Sequence, residues 1–183
     1  EFENNTSMTS NYLLIPILVD SGLIATLIFV TRNSVKKWDE GEISILQTLA
    51  STLGNVFRRR ETEEELNKVS AAVKQSSSVV IITDRYGNIE YVNPKFSEIT
   101  MYSAEEIIGK NPRVIRSGRH PEEVYKNLWE TIISGEEWHG ELLNRKKNGD
   151  YYWALTSISP IRNNFNEITH FISIQEDITA YRK

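Results

Sequence analysis

The chain has 183 residues, with 21 Lys and Arg against 25 Asp and Glu and a formal net charge of -4. Its 39% hydrophobic and 25% charged content is that of an ordinary globular protein, which excludes disorder of the whole chain. The absence of cysteine excludes disulfides, thiolate metal sites and a cysteine nucleophile. Because no long basic stripe is present, nucleic acid is not expected as a partner.

The longest apolar stretch, residues 13–30, is nearly long enough to span a membrane. Pro16 and the turn triplet Asp20-Ser21-Gly22 divide it into two runs of strand length, which predicts a β-hairpin and no membrane segment. The first ten residues are polar and carry no basic cluster, so no signal peptide is expected. The expected location is cytoplasmic.

A long helix is predicted to follow the hairpin. Asp39 and Glu42 have the spacing of a capping box at its start. Its apolar residues are Leu46, Leu49, Leu53, Val56 and Phe57 and then, in a shifted phase, Leu66, Val69 and Val73. Two interpretations fit this pattern: a solvated helix between two domains, or a dimerising helix that, as a coiled coil, needs a stutter near Arg60.

From Ser78 onward the pattern changes to short strands and turns. Strands are predicted over residues 79–83, 89–92, 138–145, 151–159 and 168–175. Between the second and third strands we expect a short helix from Pro94, a capping box at Ser103 and Glu106, and a basic irregular segment. An amphipathic helix from Pro121 to Ser134-Gly135 then presents Val124, Leu128, Trp129, Ile132 and Ile133 on one face. Strands on both sides of a block of helices predict an α+β unit on an antiparallel sheet.

Residues 66–179 resemble a PAS domain. The resemblance is carried, in order, by SVVIITDRYGNIEYVNPKFSEITMYSAEEIIGKNP, LLNRKKNGDYYWALTSISPIR and THFISIQEDIT. It implies a five-stranded antiparallel sheet with helices on one face, forming a pocket for a small ligand or cofactor. Asp177-Ile178-Thr179 resembles the family's exit motif, which implies that Asp177 and Thr179 relay a signal from the last strand to a downstream output domain.

Residues 11–59 resemble the last strands and closing helix of a GAF domain, with Trp38-Asp39 as the junction. The expected division is a GAF-like part over 1–59, a helical linker over 60–76, the PAS domain over 77–179 and the start of an output linker over 180–183. The remainder of such a GAF domain lies outside this chain, so the hairpin edge and the apolar helix stripe need partners. A homodimer is therefore expected.

No catalytic arrangement is recognised in the sequence. The two closest glycines, Gly135 and Gly140, are too far apart for a phosphate loop or a dinucleotide fingerprint. His120, His139 and His170 lack the spacing of metal ligands. We therefore expect a non-enzymatic sensory input module, cut from a histidine kinase or a cyclic-dinucleotide enzyme such as a diguanylate cyclase.

The resemblance also implies candidate cofactor-binding residues. Flavin-binding PAS domains, which include the light-sensing LOV class and FAD-type redox sensors, contact the flavin edge with side-chain amides, and Asn144 and Gln175 stand at such positions. An amide both donates and accepts, as the pyrimidine edge of a flavin requires. Trp129 matches a tryptophan typical of FAD-type sensors. FAD and FMN are therefore the candidate cofactors.

Other positions depart from the LOV pattern. Asn111 is followed by Pro112, where LOV domains have their adduct-forming cysteine, and Ala154 replaces a second amide of that class. LOV photochemistry is therefore excluded. Since many PAS domains without flavin keep the same asparagine and glutamine, the alternative function is a ligand-free interaction or dimerisation module.

Two further features have competing interpretations. Arg113, Arg116 and Arg119 could cradle a pyrophosphate, but a solvated loop is the preferred interpretation. His120, directly before Pro121, resembles the proximal haem ligand of some PAS gas sensors and is equally an ordinary surface histidine. Haem is thus a weaker candidate than flavin.

Overall fold

A computed structural model of the protein describes residues 11–19, 22–31 and 37–182. The chain divides into two compact units, residues 1–68 and 69–183. The predicted hairpin turn at Asp20-Ser21 lies outside the described residues. Within the described ranges, no helix has the length and apolar character needed to cross a membrane.

The first unit contains the hairpin and most of the long helix. Strand β1, Asn11–Val19, pairs antiparallel with β2, Gly22–Thr31, and helix α1 is Glu40–Lys74. Pro16 does not interrupt β1, because each strand of a two-stranded sheet has an open edge where a missing N–H costs no ladder bond.

The hairpin packs on the first turns of α1 around a small apolar core. Ile15, Ile17 and Ala50 are buried at its centre. A Cβ atom on Gly54 would lie 2.6 Å from the carbonyl oxygen of Leu18, so this close approach of helix and hairpin requires glycine. The hairpin expectation is therefore confirmed for the described residues.

The start of α1 forms the predicted capping box. The backbone N–H of Glu42 donates to Oδ1 of Asp39 over 2.8 Å, and the N–H of Asp39 donates to Oε2 of Glu42 over 3.2 Å. Farther along, Arg59 pairs with Glu63 and Arg60 with Glu64. Most of the apolar residues predicted to form the stripe are exposed, among them Leu49, Leu53, Val56, Phe57, Leu66 and Val69.

The second unit is built on a five-stranded antiparallel sheet. Its strands are β3, Val79–Asp84; β4, Ile89–Val92; β5, Trp138–Arg145; β6, Tyr151–Arg162; and β7, Ile168–Asp177. Their order across the sheet is β4-β3-β7-β6-β5. The α+β expectation is confirmed, and β6 and β7 run two or three residues beyond their predicted ends.

The helices of the second unit lie between β4 and β5 in the chain. They are α2, Pro94–Thr100; α3, Ala104–Ile107; a 3₁₀ helix, Pro112–Ile115; and α4, Glu122–Ser134, and a second 3₁₀ helix, Thr179–Tyr181, follows β7. The capping box of Ser103 and Glu106 is present. Gly135 ends α4 with a φ of +93°, a conformation that glycine adopts without strain.

The core lies between one face of the sheet and these helices. Strand alternation sends every second side chain to that face, for example Phe171, Ser173 and Gln175 of β7. Two apolar clusters result, one around Phe96 and Ile107 and one around Leu128 and Phe171. The cavity described below is lined by residues of both clusters.

Candidate functional site

A cavity separates the sheet of the second unit from α4 and the first 3₁₀ helix. Strands β3, β5, β6 and β7 form its floor, with Ile81, Leu142, Ile158 and Phe171 as apolar members. The volume open to the centres of water molecules is about 90 Å³. That is several times the roughly 10–15 Å³ that one water molecule needs. The fold therefore keeps an internal space that its own side chains do not fill.

Two amides at the cavity floor have unused hydrogen-bonding atoms. Asn144 of β5 is 3% exposed and Gln175 of β7 is 6% exposed, and both line the cavity. Nδ2 of Asn144 and Oε1 of Gln175 are buried without a hydrogen-bond partner among the described residues. Because buried polar groups in proteins are nearly always paired, this donor and this acceptor are available to a polar group that enters the cavity.

The sheet register explains why these amides share one site. Gln175 lies opposite Thr156 of β6, and Asn144 lies opposite Tyr152, so all four side chains face the helices. Nε2 of Gln175 donates to Oγ of Ser173 over 3.3 Å, which fixes the amide and leaves Oε1 free.

Tyr152 adds a third buried polar group beside Asn144. Its hydroxyl is buried and forms no hydrogen bond among the described residues. Burial raises the pKa of Tyr152, and the neighbouring Asn144 amide, although it makes no well-formed hydrogen bond, opposes that shift in part. Tyr152 is therefore a neutral phenol at physiological pH.

Asn111 and Trp129 line the cavity beside Gly87. Nδ2 of Asn111 donates to the carbonyl oxygen of Gly87 over 3.0 Å, and its Oδ1 accepts the N–H of Arg113. Gly87 has a φ of +83°, and a Cβ there would lie 2.7 Å from the Trp129 ring. The Trp129 ring in turn meets Phe171 edge-on, with centroids 6.1 Å apart. Thus all four predicted cofactor-binding residues, Asn111, Trp129, Asn144 and Gln175, line one cavity.

His120 is placed differently from the predicted haem ligand. Its Nε2 accepts the backbone N–H of Leu143 over 2.7 Å. The ring packs edge-on against Tyr125 and Trp153 and does not line the cavity. Since the nitrogen is occupied and faces a strand edge, this geometry does not favour haem. The part of the chain that the structure describes also contains no group of three His, Asp or Glu side chains placed to hold a metal ion.

The three basic residues of the segment after Asn111 have three different environments. Arg113 is exposed at the cavity rim, and Arg119 stacks on Tyr151 outside the cavity, 4.4 Å from the ring centroid. Arg116 is half-buried, lines the cavity and stacks on Tyr125. The preferred interpretation of a solvated loop therefore does not describe Arg116.

Tyr125 lines the cavity and was not predicted from the sequence. Tyr125, Leu128, Trp129 and Ile132 follow helical spacing and line the cavity together, whereas Ile133, predicted on the same face, is 62% exposed. The spacing would have placed Tyr125 correctly, but the preference for an all-apolar face favoured Ile133.

The predicted relay residues tie the end of β7 to β6. Oδ1 of Asp177 accepts the N–H of Thr179 over 2.9 Å, and Oγ1 of Thr179 accepts the N–H of Trp153 over 2.9 Å. The Ile178 N–H donates to the Trp153 carbonyl oxygen. Arg182 stacks on the Trp153 ring and pairs with Glu141 of β5. The chain after β7 is thereby held against β6 and β5.

Comparison with known proteins defines the class of this chain. A family model of the PAS domain matches residues 76–180, more than half of the chain. The chain therefore belongs to the PAS domain family, whose members are sensory domains.

Its similar relatives are signalling proteins. The chain is 35% identical over 108 residues to a nitrogen fixation regulatory protein of Klebsiella oxytoca, covering 59% of this chain and 22% of that protein. It is 32% identical over 120 residues to a blue-light-activated histidine kinase of Brucella anthropi, covering 63% of this chain and 24% of the kinase. The chain thus spans less than a quarter of the length of these two relatives.

A solved structure supports the fold. The PAS domain of a protein from Colwellia psychrerythraea superposes with a TM-score of 0.59 at 22% identity, over 63% of this chain and 98% of that one. The family match begins at residue 76, so the GAF resemblance of residues 11–59 stays a proposal.

Proposed function

We propose that this chain is a sensory input module whose PAS cavity binds a small ligand and passes the resulting change through the last strand to an output domain. The proposal includes the GAF-like part over 1–59, the linker over 60–76, the PAS domain over 77–179, the output linker from residue 180 and a cytoplasmic location. The parent protein would be a histidine kinase, as one relative is, or a cyclic-dinucleotide enzyme.

One observation carries the ligand-binding proposal. Nδ2 of Asn144 and Oε1 of Gln175, on two strands of the same cavity floor, are buried and unpaired. Leaving each unpaired costs about 1–3 kcal/mol, so a ligand that pairs with both is favoured by the fold itself. An empty apolar cavity would give no comparable reason for two buried amides.

The ligand class best supported is a flavin, FAD or FMN, held without a covalent bond. The imide edge of a flavin presents alternating donors and acceptors, which complements one amide N–H and one amide oxygen. A blue-light-activated relative supports this class, because protein side chains do not absorb blue light and such a protein needs a chromophore. Asn144 and Gln175 would hold the polar edge, and Trp129 and Asn111 would close the cavity around the ring.

The experiment is a visible absorption spectrum of the purified chain, before and after addition of FAD or FMN. We expect a flavin band that is retained through gel filtration. Asn144→Ala and Gln175→Ala should weaken binding about five- to a hundredfold, since each leaves a polar atom of the ligand unpaired. Arg119→Ala, which changes a residue outside the cavity, is the matched control. A wild-type protein that gains no flavin band under either condition would overturn the flavin proposal.

A second candidate function is a ligand-free dimerisation module. It is favoured by the exposed apolar residues of α1, of which Leu53 is 40%, Val56 59% and Phe57 46% exposed. A homodimer would cover this surface. Dimerisation by itself is compatible with ligand binding. A chain that forms a dimer and gains no flavin band would favour the ligand-free module over the first function.

A further inference from the structure

The cavity wall carries positive charge, and no acidic residue lines the cavity. Of the side chains lining the cavity, Arg113 and Arg116 are cationic and none is Asp or Glu. This feature is separate from the two floor amides, because both arginines belong to the segment around the first 3₁₀ helix.

Arg116 is held in place by its backbone and by an aromatic ring. Its backbone forms an isolated antiparallel bridge with Asn144, which fixes it relative to one of the two floor amides. Its guanidinium carbon lies 3.6 Å from the centroid of the Tyr125 ring. Stacking occupies the face of the guanidinium plane and leaves the N–H groups at its edge available.

Those N–H groups have no acceptor among the residues that the structure describes. Arg116 forms neither a hydrogen bond through its side chain nor an ion pair with any described residue. Burial lowers the pKa of Arg116; Tyr125 and Glu122 oppose that shift, and Arg113 adds to it. A half-buried guanidinium without an anion is costly, and an anionic ligand would offset that cost.

Tyr125 supplies a second donor at the same place. Its hydroxyl is buried and forms no hydrogen bond among the described residues. Burial raises the pKa of Tyr125, which keeps the phenol protonated and able to donate. A guanidinium fork with an adjacent hydroxyl suits a carboxylate or a phosphate, whose several oxygens accept bonds from both.

We propose that the ligand of this cavity carries an anionic group, a carboxylate or a phosphate, that is bound by the guanidinium of Arg116 and the hydroxyl of Tyr125. The inference rests on the proposed ligand-binding function and names the chemistry of the part of the ligand nearest Arg116 and Tyr125. The floor amides bind the uncharged polar edge, and Arg116 binds the charged group.

The first test compares riboflavin with FMN, which share a ring system and differ in the phosphate. We expect wild-type protein to bind FMN about ten- to a hundredfold more tightly, as a charge-assisted hydrogen bond predicts. Arg116→Gln should remove the preference for FMN and leave riboflavin affinity unchanged. Tyr125→Phe should reduce the preference for FMN while keeping the stacked ring. Arg119→Gln is the matched control, because Arg119 stacks on Tyr151 in the same segment without lining the cavity.

The second test needs no flavin. The melting temperature of the chain is measured in citrate, inorganic phosphate and chloride at equal ionic strength, for wild type and for the Arg116→Gln and Arg119→Gln variants. A melting temperature that is higher in citrate or phosphate than in chloride supports the anion site, if Arg116→Gln abolishes the increase and Arg119→Gln retains it. Comparison of the two salts separates carboxylate from phosphate.

The outcomes separate this inference from the flavin proposal. Anion stabilisation that depends on Arg116 without any flavin binding would keep the anion site and remove the flavin. Equal affinity for riboflavin and FMN, or an Arg116→Gln variant that weakens both equally, would overturn the anion site while flavin binding stands. If the chain shows neither anion stabilisation nor flavin binding, both the anion site and the flavin proposal are overturned.

Discussion

Nδ2 of Asn93 donates to the Val73 carbonyl oxygen over 3.2 Å, so a buried side chain at the start of α2 holds the last turn of α1. The same side chain donates to Ser78 and accepts the N–H groups of Val80 and Phe96. Asn93 is 1% exposed and uses all four of its hydrogen-bonding positions. Through one residue, the helix that enters the PAS unit is connected to β3 and α2.

Asn93→Ala should lower the free energy of unfolding of the second unit by about 3 kcal/mol or more, because it leaves several buried backbone groups unpaired. Urea unfolding followed by tryptophan fluorescence measures this, since Trp129, Trp138 and Trp153 all lie in that unit. The control is Asn88→Ala, which removes one exposed hydrogen bond to Asp84. Similar losses in the two variants would contradict the role assigned to Asn93.

Glu106 and Lys147 should make stability depend on pH. The hydrogen bond from Lys147, and then the Ser103 N–H, lower the pKa of Glu106 below its ordinary value of 4.5. A carboxylate whose pKa is lowered by folding stabilises the folded state above its ordinary pKa, and this contribution is lost as the pH falls through the folded value.

Glu106→Gln should therefore be less stable than wild type at neutral pH and equally stable well below the folded pKa, as measured by urea unfolding across that range. Lys147→Met should remove most of the same difference in a double-mutant cycle. High salt should reduce the effect, because the pair is exposed. If the free energies of unfolding of Glu106→Gln and wild type still differ in acid, the residue acts without its charge.

Thr179→Val should loosen the chain after β7. The substitution removes the acceptor of the Trp153 N–H and leaves the Asp177 bond to the residue 179 backbone intact. The lost hydrogen bond should lower the free energy of local opening by about 1 kcal/mol, which should speed hydrogen exchange of the Trp153 amide about fivefold. Thr169→Val, which removes a hydrogen bond from the other end of β7 to Ile161, should leave that amide unchanged.

The exposed stripe of α1 should support a homodimer. Leu53→Glu combined with Val69→Glu should lower the mass measured by light scattering toward that of one chain, because two charges replace apolar contacts. Gln47→Glu with Thr62→Glu adds the same charge at exposed polar positions of α1 and should not change the mass. A wild-type mass of one chain at micromolar concentration would remove the dimer proposal.

Local patterns in the sequence predicted most of the elements. Alternation and turn residues placed β4 and β5 at their observed bounds, and the capping boxes at Asp39 and Ser103 are both present. β7 ends at Asp177 and not at Gln175, because its ladder continues opposite Ala154 and Leu155. Such pairing depends on another strand, which a local pattern does not contain.

The site was predicted unevenly for the same reason. Asn144 and Gln175 were found by resemblance to PAS domains, and nothing in their own neighbourhood shows that two of their atoms stay unpaired. Arg116 looked like a solvated residue of a basic loop, and its burial follows from Tyr125 on α4. The contact between His120 and Leu143 likewise joins segments 23 residues apart in sequence.

If the cavity binds flavin, light should produce no bond between the flavin and a thiol in the wild-type chain, because the chain contains no cysteine. Its visible band should therefore survive blue illumination apart from any reversible reduction. Pro112 lines the cavity directly after Asn111, at the position where LOV domains carry their cysteine.

Pro112→Cys should bring a thiol to the flavin ring and give the protein a light-induced loss of its visible band that returns in the dark. Ser134→Cys places a thiol on an exposed helix end away from the cavity and is the matched control. Mass spectrometry of the illuminated protein under denaturing conditions tests for covalent attachment. A Pro112→Cys variant that keeps its flavin and responds to light as wild type does would show that the ring lies away from residues 111 and 112.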